Sequence, residues 1–356
     1  MKRFVIVCFS TLVVSSCNGP KTQEIDNYDR TLILRNVADQ IIIPNYEDFQ
    51  SSLESLESSK EGFLNSPTSE SLQLLRNAWF DARLSWKACE AFDFGPIETM
   101  ALSTSVDLFP ISTSGIEESI VNYDGSENYL IALGSNKKGF ATLEYLLFHD
   151  TEANVLAAFE DANHKAFLGL LIGDLLKISE MVLTGWDEYY ESFVNDGGND
   201  SGASMTLLSN EMIVLIEKIK NFKVAVPLGL LGDGTPAPEK AEAYYSEKSL
   251  ELIIENLEVI KDIFTGKDGN GFDDYLNELG IADENNELLS DRIEAQIEVC
   301  IALTREFSLP LNQAVTDDRS PVEALFAQLQ ILTVMVKSDM MSQLGLIVTF
   351  SDNDGD

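Results

Sequence analysis

An arginine and two glutamates interrupt helical faces that are otherwise apolar, and these are the residues whose spacing could do chemistry. Trp79, Arg83, Trp86 and Glu90 are separated by four, three and four positions, which puts them on one stripe of a helix. Charges on a face that packs a bundle are costly unless paired. Arg83 and Glu90 therefore read either as an internal salt-bridge network that fixes helix register or as a polar pocket in a bundle core. Trp79 and Trp86 would then be pocket wall. In Gly139-Phe140-Ala141-Thr142-Leu143-Glu144 the glycine permits close backbone approach, and Leu143, Leu146 and Leu147 continue an apolar face beside Glu144. A carboxylate so placed takes a raised pKa unless Arg83 or a cation neutralises it. Asp107 follows the helix break expected at Phe94-Gly95-Pro96 and precedes Pro110; it reads as a cap or turn residue, or as a third carboxylate over the bundle end. Glu90, Asp107 and Glu144 together would suit a hard divalent cation better than zinc.

Other chemistries have little to work with. The chain has two histidines, His149 and His164, and lacks both His-Glu-x-x-His and Gly-x-Ser-x-Gly. Ser246 and Ser249, near Tyr245, have no identifiable base and read first as helix-capping hydroxyls. Asn195–Gly202 and Lys267–Gly271 are acidic and glycine-rich but fit no calcium-loop spacing. Cys89 and Cys300 lie on apolar stripes and either form a disulfide or remain buried thiols. The formal charge of −35 excludes nucleic acid as a partner.

The elements that must position these residues are helices. Leu72, Leu75, Trp79, Ala82, Trp86 and Cys89 form one stripe, and Leu250, Ile253, Ile254, Leu257, Ile260 and Phe264 another. Ser320-Pro321-Val322-Glu323 reads as a capping box opening the helix that carries Leu325, Leu329, Leu332 and Val336. Alternating patterns are scarce, although Leu346 to Phe350 is β-branched enough to extend. The expectation is an all-α protein of two antiparallel four-helix-bundle domains, 29–195 and 203–356, divided by the Gly/Asx-rich segment Asn195–Gly202. Pro227 to Pro238 is long enough for a functional loop.

The first residues predict an address. Met1-Lys2-Arg3 and the apolar run Phe4–Val14 make a signal peptide over 1–16, ending in a lipobox-like Val14-Ser15-Ser16-Cys17. Acylated Cys17 would anchor the chain in a bacterial cell envelope, with residues 17–28 as tether, and Asn18 after it favours the outer membrane. Loss of Lys2 and Arg3 moves the formal charge from −35 to −37.

The ordered motifs resemble the imelysin (insulin-cleaving membrane protease) family. They run from Val37–Tyr46 through Trp79, Arg83, Trp86, Glu90, Phe92–Pro96 and Asp107–Pro110, to Gly139–Glu144, Tyr245–Leu250 and Phe350–Asp356. The family's Gly-x-His-x-x-Glu signature has Ala141 in the histidine position. The resemblance implies a paired-bundle fold with shared motifs gathered near the domain interface, metallopeptidase-like ancestry, and a link to iron or haem acquisition. It brings Trp79, Arg83, Trp86, Glu90, Asp107, Gly139, Glu144, Tyr245, Ser246 and Ser249 together as a ligand site. With the motif histidine lost, the expectation is a monomeric, non-catalytic binding protein whose ligand sits in the interdomain cleft. Iron, haem or a hard cation are the cofactors to consider, with Glu144 the metal-ligand candidate. The alternatives are a metal-dependent peptidase and a scaffold for an outer-membrane transport receptor.

Overall fold

The computed structural model describes residues 28–126 and 128–349. The signal peptide, Cys17, residues 17–27 of the tether and the closing segment from Phe350 lie outside the described residues. The last residue assigned to the tether is docked instead of free: the Tyr28 ring stacks on Tyr275 with centroids 4.5 Å apart.

Helices α1 (Thr31–Val37) and α2 (Ile43–Asn65) are joined by a π turn, Ala38–Ile42. Helix α3 (Ser69–Lys87) follows, capped by Thr68, whose hydroxyl accepts from the Ser71 amide while the Ser71 hydroxyl accepts from the Thr68 amide. The first half closes with α4 (Gly139–Phe148) and α5 (Ala162–Val194). In the second half, α6 (Ser204–Glu217) leads into a longer π turn, Lys218–Ala225, and then come α7 (Ser249–Thr265), α8 (Leu289–Arg305) and α9 (Arg319–Val334). Helix α2 packs on α3 and α5, and α4 on the same two; α7 packs on α6 and α8, and α9 on the same two. Each half is thus a ring of four helices, with the Gly/Asx segment between α5 and α6. A contiguous apolar core runs through both rings.

Both of these π turns precede a proline, Pro44 or Pro227, two positions beyond the turn. Proline has no N–H to donate and its ring clashes with the carbonyl four residues back. The helix widens there: the Ile43 amide donates to Ala38 and the Val226 amide to Asn221, both five residues back.

Two local expectations change, and the open choice at the cysteines is decided. Helix α9 starts at Arg319, with Asp318 at its cap and no side-chain capping bond, so Ser320 lies inside the helix; Arg319 Nε instead bonds Glu323. Among the described residues no strand forms, only an isolated Ala282–Leu288 bridge. Ile347 and Thr349 bond the side chain of Asn210 in place of a neighbouring strand. Cys89 and Cys300 are buried free thiols. Among the described residues, no helix is long and apolar enough to cross a membrane.

Candidate functional site: a charge lattice at the junction of the two halves

Helix α3 ends at Lys87, earlier than the Phe94-Gly95-Pro96 break, and Glu90 sits in a 3-10 turn (Glu90–Phe92) just beyond it. This brings Arg83, Lys87 and Glu90 to the end of the first ring, facing α6 and α7 of the second. Asp107 follows the short helix Ser103–Val106 and turns back over the same end. Glu144 comes from α4, and Gly139 at its start is the close approach that seats this helix. Its φ is +67°, and a Cβ there would stand 2.1 Å from the Val106 carbonyl oxygen.

Arg83 is completely buried. Its Nε and Nη2 donate to the two oxygens of Asp107 at 2.9 and 3.1 Å, and Nη1 donates to Glu144 Oε2 at 2.9 Å. The other Glu144 oxygen accepts from the Ser246 amide at 2.8 Å and its hydroxyl at 2.9 Å. Lys87 Nζ lies 2.7 Å from Glu90 Oε1, 2.8 Å from Asp107 Oδ2 and 2.7 Å from Glu242 Oε1. Lys223 Nζ closes the lattice from the π turn, 3.1 Å from Glu90 Oε2, 3.0 Å from Glu242 Oε2 and 2.6 Å from Asn256 Oδ1. Asn256 on α7 returns bonds to the Lys87 carbonyl and Glu90 Oε2 at 2.8 and 3.0 Å.

Charge pairing decides the protonation states. Burial alone would raise the Glu90 and Glu242 carboxyls, but Lys223 and Lys87 outweigh it. Glu90 is held down at about 2, and Glu242 well below the usual carboxylate range. Burial would lower Arg83 and Lys87, and the carboxylates, Asp107 foremost, hold both above their ordinary values.

Beside the lattice is a cavity of about 310 Å³ whose wall includes Trp86, Phe109 and Phe222 and whose charged side includes Glu90, Asp107 and Glu242. Tyr46 also lines it, and both Tyr46 Oη and Trp86 Nε1 are buried without a hydrogen-bond partner. Of the residues singled out from sequence, Trp86, Glu90 and Asp107 border this cavity, while Arg83, Glu144 and Ser246 form a bonded layer that does not line it. Trp79 is core: its Nε1 donates to the Phe140 carbonyl at 3.1 Å and Arg83 stacks over its ring. Tyr245 is half-buried against Tyr145, with centroids 5.6 Å apart. Neither serine caps a helix in the expected way. Ser246 binds Glu144, and the Ser249 hydroxyl donates to the Glu242 carbonyl.

Sequence reasoning missed Lys87, Lys223, Glu242 and Asn256. Lys87 was detectable, since it continues the Arg83 face by four residues, and Asn256 is a polar residue on the apolar stripe of α7. Lys223 carried only the indirect signal of Pro227 beyond its π turn, and Glu242, on an irregular segment, carried none.

The metal expected from the motif does not fit these residues. Ala141 is buried and offers no donor, and both Glu144 oxygens are engaged. His149 stacks on Tyr145 with Nδ1 2.6 Å from that residue's carbonyl, and His164 pairs with Asp161. The carboxylates that converge are Glu90, Asp107 and Glu242, not Glu90, Asp107 and Glu144.

The architecture defines a class: an all-helical protein of two four-helix rings with an ion-paired site where they meet. The imelysin family matches residues 42–333, most of the chain, and the chain belongs to that family. It is 24% identical over 249 residues to iron-regulated protein A of Synechococcus elongatus, a match covering 67% of this chain and 65% of that protein. The chain thus spans about two-thirds of that relative's length. An imelysin-like protein from Psychrobacter arcticum superposes with a TM-score of 0.75 at 19% identity, over 90% of this chain and 97% of that one. A putative iron-regulated protein A precursor from Parabacteroides distasonis gives 0.74 at 19%, over 88% and 94%. At this identity the structural likeness speaks for the fold.

Proposed function

We propose that this protein is a non-catalytic binding protein of the bacterial cell envelope, lipid-anchored through Cys17, that takes a small ligand of iron acquisition in the cavity between its halves. The observation that supports this most is the cavity of about 310 Å³, apolar on the Trp86–Phe222 side and charged on the Glu90–Glu242 side. That volume is at the lower end of the roughly 300–1,000 Å³ typical of ligand pockets. It favours a compact iron chelate over haem. Tyr46 and Trp86 line it, and their Oη and Nε1 are buried donors without a partner, available to an acceptor on the ligand. Peptide hydrolysis requires a polarising metal with activated water, or a nucleophile with its base. Ser246, whose hydroxyl is held by the Arg83-paired Glu144, supplies neither.

The test is equilibrium binding of a panel of small ferric chelates and haem to the protein, compared with Phe222→Asp and Trp86→Ala. Binding of a chelate, weakened at least ~10-fold by either change, supports the reading, since losing an aromatic anchor that the ligand covers costs ~2 kcal/mol or more. Binding unaffected by both variants, or no binding from the panel, counts against it. A docking role toward an outer-membrane transport receptor is the second reading, favoured by Phe222, Leu230 and Leu231, which stand exposed on the π turn and the loop after it.

A further inference from the structure

Glu90, Asp107 and Glu242 each offer a carboxylate oxygen within 4.8 Å of the others, the arrangement that usually surrounds a hard cation. In this chain the space between them is filled. Lys87 Nζ lies 2.7, 2.8 and 2.7 Å from one oxygen of each, donating hydrogen bonds to Glu90 and Glu242 and pairing by charge with Asp107. The stem leading to it is completely buried, which leaves the charge no route to solvent.

We propose that Lys87 is a built-in cation: its ammonium stands in the coordination position of a three-carboxylate nest and takes the place of a metal ion there. The charges agree with this assignment. Four carboxylates (Glu90, Asp107, Glu144 and Glu242) face three cations (Arg83, Lys87 and Lys223) in the lattice. Without Lys87 two negative charges go unmatched, the charge that one divalent ion carries. Lys87 joins Glu90 and Asp107 of the first half to Glu242 of the second, so the tethered ammonium also makes the junction independent of ion supply. The inference concerns the nest alone and stands whether or not the neighbouring cavity binds a chelate.

The experiment compares Mn²⁺ binding, by electron paramagnetic resonance and thermal shift, in the wild-type chain, Glu242→Gln, Lys87→Ala, Lys87→Met and Lys87→Ala/Glu242→Gln. Lys87→Ala removes both the charge and the volume at the nest. It is expected to melt below wild type without the ion, to bind one Mn²⁺ and to recover thermal stability with it. The added Glu242→Gln is expected to abolish that binding. Lys87→Met keeps the nest filled with an uncharged side chain and is expected to show no Mn²⁺ rescue. Wild type is expected to show no Mn²⁺ signal that Glu242→Gln removes. Such a signal in wild type would overturn the proposal. So would equal rescue of the alanine and methionine variants, or Lys87→Ala that gains no ion or stays unfolded in Mn²⁺ while Lys87→Met folds.

Discussion

Arg83 has a carboxylate on each of its guanidinium nitrogens and no exposure to water. Replacing it with methionine leaves Asp107 and Glu144 buried and short of countercharge, a change that costs ~3–5 kcal/mol when one partner of a buried pair is removed. Urea denaturation of Arg83→Met should show a loss of this size; a loss below ~1 kcal/mol would mean the pairing is nearly neutral overall. Arg83→Lys keeps the charge but cannot reach both carboxylates with one planar group, and should fall between the two. Glu211 shows the opposite case. Burial first, then Asp93, push its carboxyl up to about 7, above an ordinary value of 4.5; Lys218 opposes and Glu98 adds to the shift. A raised carboxyl contributes stability in its neutral form, complete below 4.5 and lost as pH rises through about 7. Glu211→Gln should therefore raise the melting temperature relative to wild type at about pH 8 and have little effect near pH 4, checked by scanning calorimetry at both. Glu90, held down at about 2, works in the other sense: its contribution is complete above 4.5 and fades as pH falls toward 2.

At the scale of elements, the site depends on where helices begin and end. Gly139 opens α4 in a left-handed conformation against the Val106 backbone, where no Cβ fits. Gly139→Ala should cost at least ~1–2 kcal/mol from the conformation alone. The backbone shift adds to this, and the helix that carries Glu144 is the one displaced. Urea denaturation measures the cost, and a Gly139→Ala protein as stable as wild type would show that the segment yields without strain. The Lys218–Ala225 π turn is the other positioning device, since it carries Phe222 to the cavity and Lys223 to the lattice. Its proximate cause, Pro227, is visible in the sequence.

At the scale of the whole molecule, the core is contiguous across both rings and the lattice crosses their junction through Lys87–Glu242, Lys223–Glu90 and Ser246–Glu144. The two halves should unfold together, in one calorimetric transition, despite the loop between α5 and α6. Two resolved transitions would show that the junction couples them weakly. Because the lattice pairs are buried, salt should screen them much less than it screens the acidic surface. Cys89 and Cys300 are distributed to separate halves and buried as thiols, so both should label with a thiol reagent only on unfolding.

What the sequence determined by itself was helical class and local neighbourhood. Apolar residues repeating every three and four positions are enough to specify helices, and the stripe Trp79–Arg83–Trp86 already required a countercharge for Arg83. Glu144, a carboxylate beside an apolar face, was a candidate for that partner, with a bound cation as the alternative. The tertiary structure decided which charges meet. Glu242 and Lys223 lie more than a hundred residues from Lys87 and Glu90, on an irregular segment and a widened turn whose periodicity carries no prediction. Their convergence is a property of how the two rings pack, and the carboxylates it gathers are Glu90, Asp107 and Glu242 around a lysine, where the sequence had offered Glu90, Asp107 and Glu144 as one possible set. Spacing along one helix fixes which side chains share a face, but only packing fixes what faces them.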